Sequence, residues 1–288
     1  MSIWTLLLEQ PTGFTIFAGL FGLLIGSFIN VVSYRLPIML KRQWRAEAQT
    51  VLGLPVERHA RFNLALPGSS CPRCHHALRV WENVPVLSYL FLRGRCSACS
   101  ESISVRYPLV EGLSGALSAV VAWRCGPGFE ALALLVLTWG LIALSVIDLQ
   151  HRLLPDVVVL PMLWLGLLIN TAAVRVDLTQ AVLGVAAGYL SLWTLFWLFK
   201  LITGKDGMGY GDFKLLAMMG AWGGVQIVPF TLLLASIGGA LAGLWLLARR
   251  KARLGGEMPF GPCLAIAGWI MLLWSDEIHT SYLHMTGF

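Results

Sequence analysis

Apolar residues in this chain run in long unbroken stretches, not in the alternation of strands or the single stripe of a soluble helix. The first stretch covers about 12–32, ending at Tyr34-Arg35-Leu36-Pro37. A polar segment follows to about residue 107, and seven more apolar stretches lie near 108–123, 129–149, 154–174, 178–201, 213–223, 225–248 and 259–275. Several reach the roughly 17–25 residues needed to cross a bilayer. The pattern predicts an all-α polytopic membrane protein with about eight transmembrane helices and a polar loop domain between the first and second. Gly22-x-x-x-Gly26 in the first stretch permits close helix packing.

Composition sharpens this picture. The 288 residues are 57% hydrophobic and only 12% charged, with twelve tryptophans. A soluble domain carries about twice that charged fraction. The net charge of +6 is no sign of a nucleic-acid partner, because the basic residues collect in loops. Eleven of the 21 Lys and Arg fall between Tyr34 and Tyr107, against four Glu. Later turns at Arg152, at 200–205 and at 249–253 are basic too, which places all of them on the cytoplasmic side and both termini outside. No cleavable signal is expected, since no basic segment precedes the first apolar run.

Within that topology two carboxylates stand out. Asp148 closes the apolar run 144–147, at a helix C-terminus where negative charge is disfavoured. Asp212 follows the glycine-rich turn Gly207-Met208-Gly209-Tyr210-Gly211 and opens the next apolar stretch. Both fall at the cytoplasmic end of the bundle, so tertiary packing has the means to pair them. Glycines 207, 209 and 211 allow positive φ and close approach of an extended peptide. A plainer role for Asp212 is to N-cap its helix, and for Asp148 to snorkel to the surface. Asp156 has an N-cap or helix-dipole role open to it, and Lys214 has either Asp212 or lipid phosphates as a partner. Two carboxylates in one site share a proton: the charged one activates water, and the protonated one hydrogen-bonds a scissile carbonyl.

Cys71-Pro72-Arg73-Cys74 and Cys96-Ser97-Ala98-Cys99 form two C-x-x-C pairs with 21 residues between them. Four thiolates so arranged close a structural zinc site with no open position for catalysis. A reducing cytoplasm favours metal over the alternative of disulfide or redox pairs. Cys125 and Cys263 have no partner nearby in sequence.

The Gly209-Tyr210-Gly211-Asp212 element resembles that of the intramembrane aspartyl proteases. The longer pattern narrows the resemblance: Asp148 with Leu154-Pro155-Asp156, then Gly-Tyr-Gly-Asp-Phe-Lys ending at Lys214, is similar to the type IV prepilin peptidases of pilus and type II secretion systems. So are Gly26-Ser27-Phe28-Ile29-Asn30, the stretch Asn83 to Leu90, and Ile103 to Pro108. The resemblance covers nearly the whole chain. It implies an enzyme of the bacterial inner membrane with its active site toward the cytoplasm. Such an enzyme cleaves the basic leader of prepilins and pseudopilins, then methylates the new N-terminal residue with S-adenosylmethionine. Asp148 and Asp212 are then catalytic, supported by Gly209, Gly211 and Lys214. Residues 1–107 become the zinc-binding, methyltransferase region, and 108–288 the peptidase region.

No glycine-rich fingerprint of a soluble methyltransferase is present. Glu82 and Asn83 are the cofactor-binding candidates, beside plain structural roles, and Glu111 is a polar residue within the second span. Two other classes compete. A transporter would use the two aspartates as a proton or cation relay, and a zinc-stabilised scaffold would leave them unexplained.

Overall fold

The computed structural model describes residues 11–56, 61–71, 73–248 and 259–286. Among these residues the protein is helical with no strands, and only two isolated β-bridges occur. The helices are α1 (Pro11–Val51), α2 (Leu87–Phe91), α3 (Arg106–Cys125), α4 (Phe129–His151), α5 (Asp156–Asn170), α6 (Leu178–Thr203), α7 (Tyr210–Gly223), α8 (Ile227–Ala248) and α9 (Gly261–Thr286). The chain divides into two compact units, Met1–Ala143 and Leu144–Phe288, with the division inside α4.

Four described helices, α1, α4, α6 and most of α8, are long and apolar enough to cross a membrane. Helix α1 overruns its expected end. It continues through the buried Pro37 to Val51 because residues 38–51 are mostly strong helix formers, with Gln43 donating to Glu47 one turn on at 2.9 Å. By contrast α7 is only 14 residues. At 1.5 Å per residue it is about 21 Å long, short of the roughly 30 Å hydrocarbon core.

In the N-terminal unit α1 packs along α3 through the expected small-residue face. A Cβ on Gly22 would lie 2.4 Å from Ser118 Oγ, and one on Gly26 would lie 2.6 Å from the Glu111 Cα. The closeness allows Ser114 Oγ to donate to the Gly22 carbonyl at 2.7 Å. Arg35, buried on α1, donates to the carbonyls of Asn63, Leu64 and Gly68 and pins that stretch of the loop to the helix.

The C-terminal unit is organised around α7, whose residues from Asp212 to Trp222 are buried apart from Lys214. Glycines on the surrounding helices admit it: Gly184 and Gly188 of α6, Gly166 of α5 and Gly268 of α9 each abut an α7 residue. Polar groups that this burial removes from water find partners. Trp222 Nε1 donates to the Met162 carbonyl at 2.9 Å, and Asn170 Nδ2 donates to that of Ala221 at 2.9 Å.

Candidate active site

Asp148 and Asp212 both belong to the C-terminal unit. Asp148 lies in the last turn of α4 and Asp212 in the first turn of α7, and they are 6% and 8% exposed. Packing brings these two helix ends together around Leu154, which lies against Gly211, next to Asp212, and against Gly261, which abuts the Asp148 carboxylate. Asp148 Oδ2 is buried with no hydrogen-bond partner among the described residues. Gly261, opening α9, presses on the same oxygen: a Cβ there would lie 2.6 Å from it. The backbone of Gly261 also faces the Asp148 carboxyl, so the start of α9 bounds this acid on one side.

The capping reading of Asp212 does not hold. Gly209 is the N-cap of α7, with extended backbone at φ −82° and ψ 147°, and Asp212 sits three residues inside. The glycine-rich turn also works differently from expectation. The residue at positive φ is Gly204, which ends α6, whereas Gly207, Gly209 and Gly211 do not have positive φ. Gly211 is helical, and its lack of a side chain serves close approach instead: a Cβ would lie 2.8 Å from that of Leu154. Lys214 pairs with Asp156 and not with Asp212: its Nζ donates at 2.8 Å to Oδ1 and 2.7 Å to Oδ2. Gly261 was not among the sequence candidates, although Gly-Pro at the opening of the last apolar stretch is a helix-start signal that singles it out.

In the N-terminal unit the four cysteines converge, with all four sulfurs within 4.8 Å of one another. The two hairpins repeat one geometry. The amide of Cys71 donates to the His76 carbonyl and that of His75 to the Cys71 carbonyl. Likewise Cys96 donates to Glu101 and Ser100 to Cys96. His75 and Ser100 both take φ 57°. The hairpins face each other with Sγ–Sγ distances of 3.8 Å for Cys71–Cys99 and 3.9 Å for Cys74–Cys96. A tetrahedron built on zinc–sulfur bonds of about 2.3 Å has edges of about 3.8 Å, so the cluster fits zinc, and a disulfide of about 2 Å is excluded.

Glu82 ties these hairpins to the segment between them. Its buried carboxylate accepts from the Arg79 amide at 2.7 Å and from Ser97 Oγ, and lies 3.3 Å from His76 Nε2. The Arg79 amide first, then Ser97, hold the carboxyl below its ordinary value of 4.5. Asn83 instead lines a cleft in the same unit.

Comparison with known proteins gives two family matches, one over each half of the chain. Residues 20–125 match the bacterial peptidase A24 N-terminal domain, and residues 135–244 match the type IV leader peptidase family. A prepilin leader peptidase/N-methyltransferase of Pseudomonas putida is 62% identical over 288 residues, covering 100% of both chains. The proteins of the same name from Pseudomonas aeruginosa and Aeromonas hydrophila are 55% and 54% identical, covering 100% and 92% of each chain. The chain belongs to the type IV leader peptidase family. No solved structure matches it. The leader peptidase match contains both Asp148 and Asp212, the N-terminal match contains the four cysteines, and Gly261 lies outside both.

Proposed function

We propose that this protein cleaves the leader of type IV prepilins and pseudopilins and then N-methylates the new N-terminal residue, using S-adenosylmethionine. Asp148 and Asp212 are the catalytic pair. The observation that carries the peptidase half is the meeting of two buried carboxylates at the end of α4 and the start of α7. Sharing one proton, the pair activates water with its charged member and polarises the scissile carbonyl with its protonated one. The proton taken from water then passes to the leaving amine. Neither a metal nor a covalent intermediate takes part in this step.

The basic loops support an inner-membrane orientation with the aspartates toward the cytoplasm, where a basic leader lies. Eight crossings, with α7 among them, are the topology this orientation assumes. Residues 1–107 are proposed as the methyltransferase region and 108–288 as the peptidase region. Gly209 caps the helix that carries Asp212, Gly211 lets Leu154 approach it, and Lys214 acts as a support through Asp156. Cys71, Cys74, Cys96 and Cys99 would hold a structural zinc, which joins the two hairpins and contributes folding free energy to a loop with little core of its own.

The deciding experiment is mass spectrometry of a prepilin incubated with the purified protein and S-adenosylmethionine, alongside Asp148→Asn and Asp212→Asn. Loss of the leader and gain of one methyl are expected for the wild type, and no cleavage is expected for either variant. Cleavage by either variant removes that residue from the pair.

A further inference from the structure

Within the N-terminal unit a cleft of about 390 Å³ opens between α1 and the segment that joins the two cysteine hairpins. Leu24 of α1, Val84 and Pro85 give it apolar walls, and Ser69, Arg79 and Asn83 bring the polar groups. Both ends of its wall segment are fastened by carboxylates. At one end Glu82 accepts from the Arg79 amide and from Ser97 of the second hairpin. At the other, Glu111 of α3 accepts from the Val86 amide at 2.8 Å, and Ser27 of α1 faces the same carboxylate.

The second fastening restrains a strained turn. Val86 takes φ 60° and ψ −47°, and the Leu87 amide donates back to the Pro85 carbonyl at 2.6 Å, closing a γ-turn. A β-branched residue at positive φ is costly, and such strain persists where surrounding contacts over-determine it. Glu111 is that contact. It sets where Val84 and Pro85 stand in the cleft, and a plain loop would have no use for the strain.

We propose that this cleft is the site of the methyl donor, with Arg79 and Asn83 contacting it and Glu82 and Glu111 as positioning residues. The inference rests on the methyltransferase half of the proposed function. The fit is chemical as well as spatial. The volume falls within the roughly 300–1,000 Å³ range of small-molecule sites, which are mostly apolar with a few placed polar groups. S-adenosylmethionine presents an amino-acid carboxylate, a purine and a sulfonium. Arginine matches the carboxylate with paired N–H donors. Asparagine matches the donor–acceptor edge of adenine, and the apolar walls suit the purine faces.

When bound, the donor supplies a methyl on positively charged sulfur: the N-terminal amine nitrogen gains it, the carbon–sulfur electron pair stays on sulfur, and the amine proton leaves to water. Glu82 also ties the cysteine hairpins to the cleft, since its carboxylate meets His76 of the first hairpin, Ser97 of the second and the amide of Arg79, which lines the cleft.

The test is equilibrium dialysis of labelled S-adenosylmethionine against the zinc-loaded full chain in detergent, with zinc content and thermal unfolding followed in each sample. Arg79→Ala and Asn83→Ala are expected to weaken binding by about tenfold or more while zinc stays bound. Glu111→Ala is expected to weaken it comparably. Adding Val86→Gly to that variant should recover much of the loss, because glycine takes the turn without a clamp. A packing defect in α3 would not respond to residue 86. Wild-type affinity in both Arg79→Ala and Asn83→Ala overturns the assignment of the cleft and leaves methylation to another site. A wild type that neither binds the donor nor methylates overturns the methyltransferase reading, and the site with it.

Discussion

Lys214 reaches across to Asp156, its ammonium donating to both carboxylate oxygens, and so joins the second turn of α7 to the start of α5. Asp212, two residues earlier, is left without that cation. The ion pair is partly exposed, at 31% for the lysine and 53% for the aspartate side chain. Such pairs contribute about 0–1 kcal/mol. Its value lies in position: it fixes the register of the helix that carries Asp212.

Lys214→Met should therefore lower stability by less than about 1 kcal/mol and slow leader cleavage by only about two- to fivefold. Asp156→Asn should act the same way, and the two together no worse than either. Initial cleavage rates for the three variants check this. Strictly additive losses would show that the two side chains act separately.

The packing of α6 on α7 gives a sharper contrast. Gly184 and Gly220 face each other so closely that a Cβ on either would lie 2.3 or 2.1 Å from the other's carbonyl oxygen. Backbone sits on both sides, so no side chain can yield. Gly220→Ala is expected to cost about 2–4 kcal/mol or to block folding. Gly238→Ala on α8, where nothing lies within 4 Å, should stay within about 0.5 kcal/mol of wild type. Thermal unfolding in one detergent compares them, and equal midpoints would show that α6 and α7 do not pack this closely.

Much of this was legible in the sequence, and for physical reasons. Long apolar runs report helices directly because the bilayer imposes their length. The cysteine pairs report a four-sulfur cluster able to hold a metal because each C-x-x-C folds on its own hairpin. Gly22 and Gly26 pointed to close helix packing through size alone, and α3 is the partner they meet. What the sequence concealed depends on distant partners. The choice of Asp156 by Lys214, the pressure of Gly261 on Asp148 and the clamp of Glu111 on Val86 each join residues 25 or more positions apart. The glycine-rich turn misled in a different way. Gly211 suggests backbone freedom, but it serves to let Leu154 approach a helix.

Glu82 should leave a pH signature. Its carboxyl is held below the ordinary 4.5 by the Arg79 amide and Ser97. A depressed value means that the ionised form stabilises the fold. That contribution is complete above the unfolded value and disappears as the pH falls through the folded one. The stability gap between wild type and Glu82→Gln should stay constant from neutral pH down to about 5 and narrow below that. Acid release of zinc affects both proteins and so largely cancels in the difference. A gap that widens toward acid would mean that the carboxylate is not held in its charged form.

Gly261 offers the most direct probe of the proposed peptidase centre that keeps both aspartates in the sequence. A Cβ there would lie 2.6 Å from Asp148 Oδ2 and 3.2 Å from its Cγ, well inside van der Waals contact. Asp148 is buried and the start of α9 lies directly against it, so Gly261→Ala should push the two apart and displace the acid from its present position. Displacing a catalytic group by about 1 Å can cost roughly 100-fold in rate. Leader cleavage is expected to fall by about that factor. Zinc content and binding of S-adenosylmethionine should not change, because the cysteine cluster and the proposed donor cleft belong to the other unit. Single-turnover cleavage alongside a zinc assay separates these outcomes. A rate within about twofold of wild type would show that the position of the Asp148 carboxylate does not limit the reaction.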